Sequence, residues 1–575
     1  MAHFHIKRKN GRPYLYVREI ARVGGKPKVV SQVYIGSPDS VAALARGDDQ
    51  DAGKLRVEEF GSVWAAAKMD EGIDLASIVD QVVPCGERET GPTVGEYFLY
   101  AVLNRMVDST SKNKLSGWYR KTAIQQIRPV DLGELTSKRF WEKWERVNEE
   151  ALGEIASRFF RRLWELERPS SDCLLFDTAN YYTFMASDTE SELARRGNNK
   201  AGRHHLRQVG LGLLVDRMSR LPLYYRAYEG NLHDSKLFGR VMDEMFGVAC
   251  GFAATKERLT VVIDKGMNAP DNYAIIDDHG RMHFITTYST YFAHELAATP
   301  LGHFVQLTLP RNEKLVQAGR EKDQLLAYRT TGEYWGKERA VVVTHNPVTA
   351  RKQTYKLAVK LDRLKAELVE MSNKVNSNTP QWRDAEVVRE RYIRVCEHLR
   401  LPTNLYTIDL PRLADGKLHM WFRRDHYRIK LKQASFGRNI IVTDNIDWST
   451  ADIVQASLDR WVVEQRFRVS KDSDLVSVMP MRHWTDSKIR CHLLVCVIAL
   501  VYLRRLELRM REAGITDEAA TIMEDLRTLH SVLAIDDKRK KPRRRIEQPT
   551  KTQAKTLRAL GYKVDSQGVL QQIRS

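Results

Sequence analysis

Two short apolar runs that each end in an aspartate constrain the fold of this chain more than any other feature. "DCLLFDTANYY" has an apolar run that stops at Asp177, and "RLTVVIDKGM" is a continuous apolar stretch that stops at Asp264. Runs this short, bounded by polar and turn residues, read as buried strands. Between them, "VGLGLLVD" and "LPLYYRAYEGN" read as strands of a meander, and "DSKLFGRVMDEMF" as a helix. "MHFITTY" follows as a further strand. Both aspartates fall where a buried strand runs out, a common place for catalytic residues in α/β sheets.

Three strands, a helix, then another strand is the order of a ribonuclease H-like core. The expected fold class is therefore α/β, with that core interrupted by a large mixed α/β insertion. The interruption runs from 295 to 432 and holds strand-like "HFVQLTLP" and "RAVVVTHN" and a long helical stretch. In that stretch Leu357, Leu361, Leu364, Leu368, Met371 and Val375 alternate by four and three, which is a heptad seam. A second helix, "WRDAEVVRERYIRVCEHL", makes an intramolecular hairpin the first choice and a dimerising coiled coil the alternative. The strand "RNIIVT" at 438–443 then returns to the core.

The divisions expected are 1–56, small and β-rich; 57–168, helical and DNA-binding; 169–294, the first part of the core; 295–432, the insertion; 433–510, the second part of the core; and 511–575, a C-terminal helix with a basic tail. "NG" at 10–11 and "GG" at 24–25 are turn signals in the first of these. Its cationic strands fit a sheet touching DNA or a structural cap equally well.

Lys and Arg number 92 against 73 Asp and Glu, a formal net charge of +19 that favours an anionic partner such as nucleic acid. The six cysteines include no CxxC pair, which argues against a disulfide framework or zinc site and fits a reducing cytoplasm. "IRCHLLVCVIALVYL" is the most hydrophobic run, but its apolar part is too short for a membrane span and reads as a buried helix. The N-terminus is too polar for a secretory signal. "KRKKPRRR" at 538–545 reads as a flexible phosphate-binding arm or a localisation signal.

The stretch "RWVVEQRFRVSK" at 460–471 supplies the remaining chemistry. On a helix of about 100° per residue, Arg460, Glu464 and Lys471 lie within about 40° of one another, and Arg468 is one turn beyond Glu464. Taken alone this is a solvated face whose ion pairs stabilise the helix by about 0.2–0.5 kcal/mol each. The two strand-end aspartates alter the balance. Three carboxylates at one sheet edge repel unless a cation joins them. Mg²⁺ or Mn²⁺ suits an all-oxygen site, and two ions about 3.5–4 Å apart assist phosphodiester cleavage. Asp177, Asp264 and Glu464 are thus the expected catalytic residues and metal ligands, with Arg460 and Lys471 holding phosphates.

These residues resemble those of the DDE transposases of bacterial insertion sequences, in the branch with a Tyr-x2-Arg-x3-Glu-x6-Lys signature. Arg460, Glu464 and Lys471 match its last three positions, while Ser457 stands where the Tyr belongs. "LLFDTANYYTF" and "VVIDKGMN" resemble the stretches around the first two acids, and "RHWTDSKIRCHLLVCVIALVYL" the end of the catalytic region. The resemblance implies hydrolysis at transposon ends in double-stranded DNA, strand transfer of the freed 3′-hydroxyl, a homodimer on paired ends and a bacterial, nucleoid-associated location. It implies DNA contacts at Arg460, Lys471, Arg468 and Ser457. An inactive DNA-binding descendant and a nuclease without strand transfer are the alternatives. Asn231 and Asp234 in "EGNLHDSK" resemble a family stretch and read equally well as turn and helix-cap residues, while Tyr181 and Tyr182 read as core packing and His483 as a satisfied surface histidine.

Overall fold

The computed structural model describes residues 2–9, 12–23, 26–38, 41, 54–86, 89–169, 173–186, 189–197, 202–252, 258–472, 474–479, 481, 483–535 and 543–573. The turn signals at 10–11 and 24–25, and residues 538–542 of the basic run, lie outside them.

The apolar runs form a mixed sheet of ten strands. In chain order these are β1 (Cys173–Thr183), β2 (Arg195–Arg196), β3 (Arg207–Asp216), β4 (Pro222–Glu229), β5 (Leu259–Ile263), β6 (Met282–Tyr288), β7 (Val305–Gln306), β8 (Leu326–Tyr334), β9 (Lys337–His345) and β10 (Arg438–Thr443). Across the sheet they run β7-β8-β9-β10-β6-β5-β1-β3-β2, with β4 also paired to β3. β1, β5 and β6 are parallel, and the remaining pairings are antiparallel. Every residue of β5 is buried, as the uninterrupted apolar run requires of a strand covered on both faces. The helix Asp234–Phe252 makes the crossover from β4 to β5.

Strands β7 to β9 lie within the interrupting stretch, yet they continue the central sheet through β10. The rest of the stretch has an apolar core of its own. There the seam from Leu357 to Val375 is buried together with Val388, Tyr392 and Cys396 of the helix Ala385–Leu399, so the two helices form an intramolecular hairpin.

The hydrophobic run near the C-terminal end is the helix Asp486–Glu512, buried without interruption from Cys491 to Glu507. Most of its buried charges find partners: Arg504 Nη1 donates to Glu507 Oε2 at 2.6 Å, and Arg505 Nε to Glu167 Oε1 at 2.8 Å, while Arg504 Nη2 has none. Tyr502 Oη donates to Asp70 Oδ1 at 2.6 Å, and Arg504 Nε to the Ser219 carbonyl at 2.6 Å. One helix thereby joins the sheet to the helices between 61 and 167, and all share one core. Among the described residues no helix is long and apolar enough to cross a membrane.

Three antiparallel strands, Ala2–Lys9, Arg12–Val23 and Lys26–Gly36, make a separate small sheet. The strand Lys54–Glu59 pairs with His530–Ile535, which in turn pairs with Arg543–Ile546. The end of the basic run is therefore strand rather than free arm over Arg543–Ile546, and Arg544 Nη2 sits 3.2 Å from Glu58 Oε2.

Candidate active site

The parallel register of β1 and β5 sets the first two carboxylates. Leu175 lies opposite Val262 at the end of the pairing, so Asp177 and Asp264, each two residues further on, leave the same end of two neighbouring strands. Asp264 follows directly on β5 and keeps an extended backbone. Asp177 departs from the expectation that its strand ends there. β1 continues to Thr183 beside β3, and what stops after Leu175 is the parallel pairing with β5. The sheet edge that exposes both acids is made by the end of that pairing, not by the end of both strands.

The third carboxylate comes from a helix laid against β1. The stretch "RWVVEQRFRVSK" is the helix Trp461–Ser470, set off by a break from a preceding helix, Thr450–Leu458. Ser449 caps the preceding helix, its Oγ accepting from Asp452 N at 3.1 Å. Asp459 sits at the break and is held on two sides, by Arg217 Nε at 2.7 Å and Gln455 Nε2 at 2.7 Å. The second helix buries Val462, Val463 and Phe467, and Ser470 Oγ shares a 2.5 Å hydrogen bond with the Tyr181 hydroxyl on β1. Glu464 and Arg468 are left exposed on its outer side.

Arg460, at the start of this helix, joins the acids. Its Nη1 donates to Asp264 Oδ1, and its Nη2 to Glu464 Oε1 at 3.2 Å. Asp177 shares their field. Burial pushes its carboxyl up to about 6, and the neighbouring Asp264 and Glu464 push the same way. The Thr178 N–H, 2.9 Å from Asp177 Oδ1, and the Arg460 guanidinium oppose them. The structure thus gathers Asp177, Asp264, Glu464 and Arg460. The first three are an all-oxygen donor set of the kind hard divalent cations take. Among the described residues no group of three or more His, Cys, Asp or Glu is closed enough to hold a metal as it stands. The cation between these carboxylates is Arg460.

The remaining expected residues are placed differently. Lys471 ends the helix with its ammonium 5.4 Å from the centre of the Tyr181 ring. Ser457 is half-buried on the preceding helix, across the break from Arg460. Tyr181 is fully buried, as expected of core packing. His483 is not a surface histidine. Its ring lies 5.0 Å from Trp141 and 4.6 Å from His492, and burial lowers its pKa to about 3.

Asp234, weighed in the sequence as a helix cap and left out of the expected site, stands beside the acids. It opens the crossover helix, and its Oδ1 accepts from Thr178 Oγ1 at 3.1 Å. A Cβ placed on Gly266 would lie 3.6 Å from Asp234 Oδ2 and 3.9 Å from Asp264 Oδ2, so the two carboxylates flank one glycine. The available signal was topological: the first turn of a helix that crosses from the meander to β5 opens beside the end of β5. Asp234→Asn keeps the hydrogen bond from Thr178 but removes the charge. Cleavage is expected to fall about 10- to 100-fold, the range for groups that orient a site's ligands, with the thermal midpoint little changed. A time course of DNA nicking beside a melting curve measures both.

Comparison with known proteins bears on what the site does. The transposase DDE domain family matches residues 183–502, more than half of the chain. The span includes Asp264, Arg460, Glu464 and Lys471 and begins just after Asp177. No curated protein matches. Among solved structures, a piggyBac transposase synaptic complex with hairpin DNA aligns at a TM-score of 0.35 and 7% identity, over 83% of this chain and 82% of that one. A Mos1 transposase paired-end complex with the left transposon end aligns at 0.15 and 9%, over 38% and 65%. Likenesses this distant carry no weight beside the family match. That match, over a chain whose carboxylates meet at one sheet edge, makes this protein a member of the transposase DDE family and a DDE transposase.

Proposed function

We propose that this protein cuts double-stranded DNA at the ends of an insertion sequence and joins the freed 3′-hydroxyl to target DNA. The observation that carries this reading is the meeting of Asp177, Asp264 and Glu464 around Arg460. The strand order β4-β3-β1-β5-β6, with its mixed directions, supports a ribonuclease H-like core. The spacing of Arg460, Glu464 and Lys471 supports the bacterial branch with the Tyr-x2-Arg-x3-Glu-x6-Lys signature, with Ser457 in the place of the Tyr.

Asp177, Asp264 and Glu464 would hold the two Mg²⁺ or Mn²⁺ ions of such an enzyme. When bound, the ions activate the attacking hydroxyl and stabilise the leaving oxygen. The chain's own residues do the rest. Asp177 must lose its proton to serve as a ligand, and its carboxyl, pushed up to about 6, does so below neutrality. Arg460 holds Asp264 and Glu464 together, and its planar guanidinium would suit a phosphate beside a metal held by the acids. Lys471 and Arg468 extend the positive edge along the same helix as point and forked charges. In this reading the helical region 57–168 and the small N-terminal sheet add DNA contacts, the chain works as a homodimer on paired ends, and it acts in a bacterial cytoplasm.

Asp264→Ala is the direct test, in a Mg²⁺-dependent assay on DNA carrying the element's own ends. End cleavage is expected to disappear while binding to the same DNA persists. Cleavage that survives the substitution removes Asp264 from the site. Wild-type nicking without joined products identifies a nuclease, and binding without nicking a DNA-binding descendant.

A further inference from the structure

Two segments without a single acidic residue fold beside each other at the base of the helical hairpin. The first, 347–361, opens the helix Pro347–Asn376 and carries Arg351, Lys352, Lys356 and Lys360. The second, 426–438, runs from the helix His426–Ala434 into β10 and carries Arg428, Lys430, Lys432 and Arg438. Gly437 N donates to Gln353 Oε1 at 2.7 Å, and Asn346 N to the Gly437 carbonyl at 2.8 Å. At the other end, Arg424 Nη2 stands 3.9 Å from Asp362 Oδ1. A groove of about 420 Å³ lies between, with Arg351 and Thr354 on one wall and Gln433 and Arg438 on the other, and no acid lines it.

Ordinary surface helices intersperse their charges. The same long helix does so further on, where Lys374 pairs with Glu370, as does the second helix of the hairpin, where Arg394 pairs with Glu390. The first turns of the long helix and the short helix beside it carry no acid of their own, and Asp425, which caps the short helix, stands 3.8 Å from Arg428 Nε. Of their cations, Arg351 pairs with Asp323, which also takes Arg320. Arg438 has its Nη2 on the Thr299 carbonyl at 2.9 Å and lies over the Phe304 ring, while its buried Nη1 has no partner. His345, 8% exposed at the same groove, leaves Nδ1 unpartnered. Two tyrosines stand out from this surface, Tyr355 at 72% and Tyr427 at 76% exposure. Cations interleaved with exposed aromatics and outnumbering the acids at their edge fit a nucleic-acid backbone.

We propose that this surface is a second DNA contact, carried by the insertion, in which Lys352, Lys356, Arg428 and Lys430 hold backbone phosphates of a duplex and Tyr355 and Tyr427 lie against its sugars. It rests on the reading of the protein as a DNA transposase. The contact does not depend on the carboxylates, so it operates without divalent cations.

The test is fluorescence anisotropy of the full-length protein with a duplex of arbitrary sequence, across a salt series in EDTA. The double substitution Arg428→Glu and Lys430→Glu is expected to weaken binding at least tenfold near physiological salt. It should also lower the slope of log affinity against log salt by about two, since each phosphate contact contributes about 0.9. Tyr427→Ala should weaken binding with the slope unchanged. The control reverses Arg389 and Arg394 on the exposed face of the neighbouring helix, with the same change in net charge and no expected effect. Equal losses in both pairs, or no loss in the first, overturn the proposal and leave the transposase reading standing. A change in self-association without a change in DNA binding makes the surface an interface between copies instead. Wild-type protein that binds no DNA removes the transposase reading together with this one.

Discussion

Asp177→Asn is expected to melt at a higher temperature than the wild type at pH 7.5 and to cut no DNA. The two results share one cause. Burial and the nearby Asp264 and Glu464 hold the Asp177 carboxyl at about 6, above the ordinary value of 3.8. Between those pH values the folded state binds more protons at this site than the unfolded state, so stability falls as pH rises through that window. At neutral pH the ionised group is a standing cost. A shift of this size corresponds to at most about 3 kcal/mol, and about 1–2 kcal/mol after allowing for the part of the carboxylate that reaches water. Asn removes the cost, and the midpoint should rise by about 1–2 °C for a chain of this size. At pH 4, where the wild-type group is already protonated, the gain should vanish. Cleavage should fall by on the order of a thousandfold or more, because the amide is a poor ligand for a hard cation. A melting curve for the variant that shows no gain at pH 7.5 would mean that the Asp177 carboxylate is not strained by its neighbours. In the wild type, the same titration predicts a cleavage rate that rises with pH through about 6.

Arg460→Ala carries the second large effect. Arg460 is the cation that Asp264 and Glu464 share, and it opposes the upward shift of Asp177. Without it the three acids face one another unscreened. The midpoint at pH 7.5 in EDTA should fall, and the pH dependence of Asp177 should move above 6. Mg²⁺ or Mn²⁺ should then stabilise the variant more than the wild type, because the ion no longer displaces a guanidinium. The half-saturating concentration in a thermal-shift titration should drop by about three- to tenfold, a modest ion-pair free energy. Cleavage should nonetheless be lost, since the phosphate contact goes with the side chain. Arg460→Lys should sit near the wild type in the titration. Equal cation responses in all three proteins would show that Arg460 does not occupy the place of an ion.

The sequence made legible whatever was written in local pattern. Asp177 and Asp264 stood out because apolar runs end at them, and Arg460, Glu464 and Lys471 because helical spacing and the family resemblance agree. The heptad seam from Leu357 to Val375 disclosed its own partner helix, since both lie within one short stretch. Contacts between distant parts of the chain left no such trace. Asp234 looks like any cap after a glycine turn until Thr178 and Gly266 are brought to it by folding. The break at Asp459 depends on Arg217, which comes from another strand turn. His483 carries a polar letter in a polar stretch, and only the tryptophans at 141 and 144 make its surroundings apolar. The pairing of Lys54–Glu59 with His530–Ile535 joins segments that periodicity alone cannot match.

The burial of Asp486–Glu512 sets a timetable for synthesis. The helix is met by Asp70, Trp144, Phe159 and Glu167, all made long before it. At about 5–20 residues per second the ribosome needs tens of seconds to pass from one partner to the other. Through that interval the early helices keep their apolar sides turned to water, to each other or to a chaperone. The helix that bears Glu464 leaves the ribosome just before the spine it packs against. The nascent transposase is therefore chemically silent for most of its synthesis, and translation interrupted before residue 464 leaves a fragment without the whole acid set.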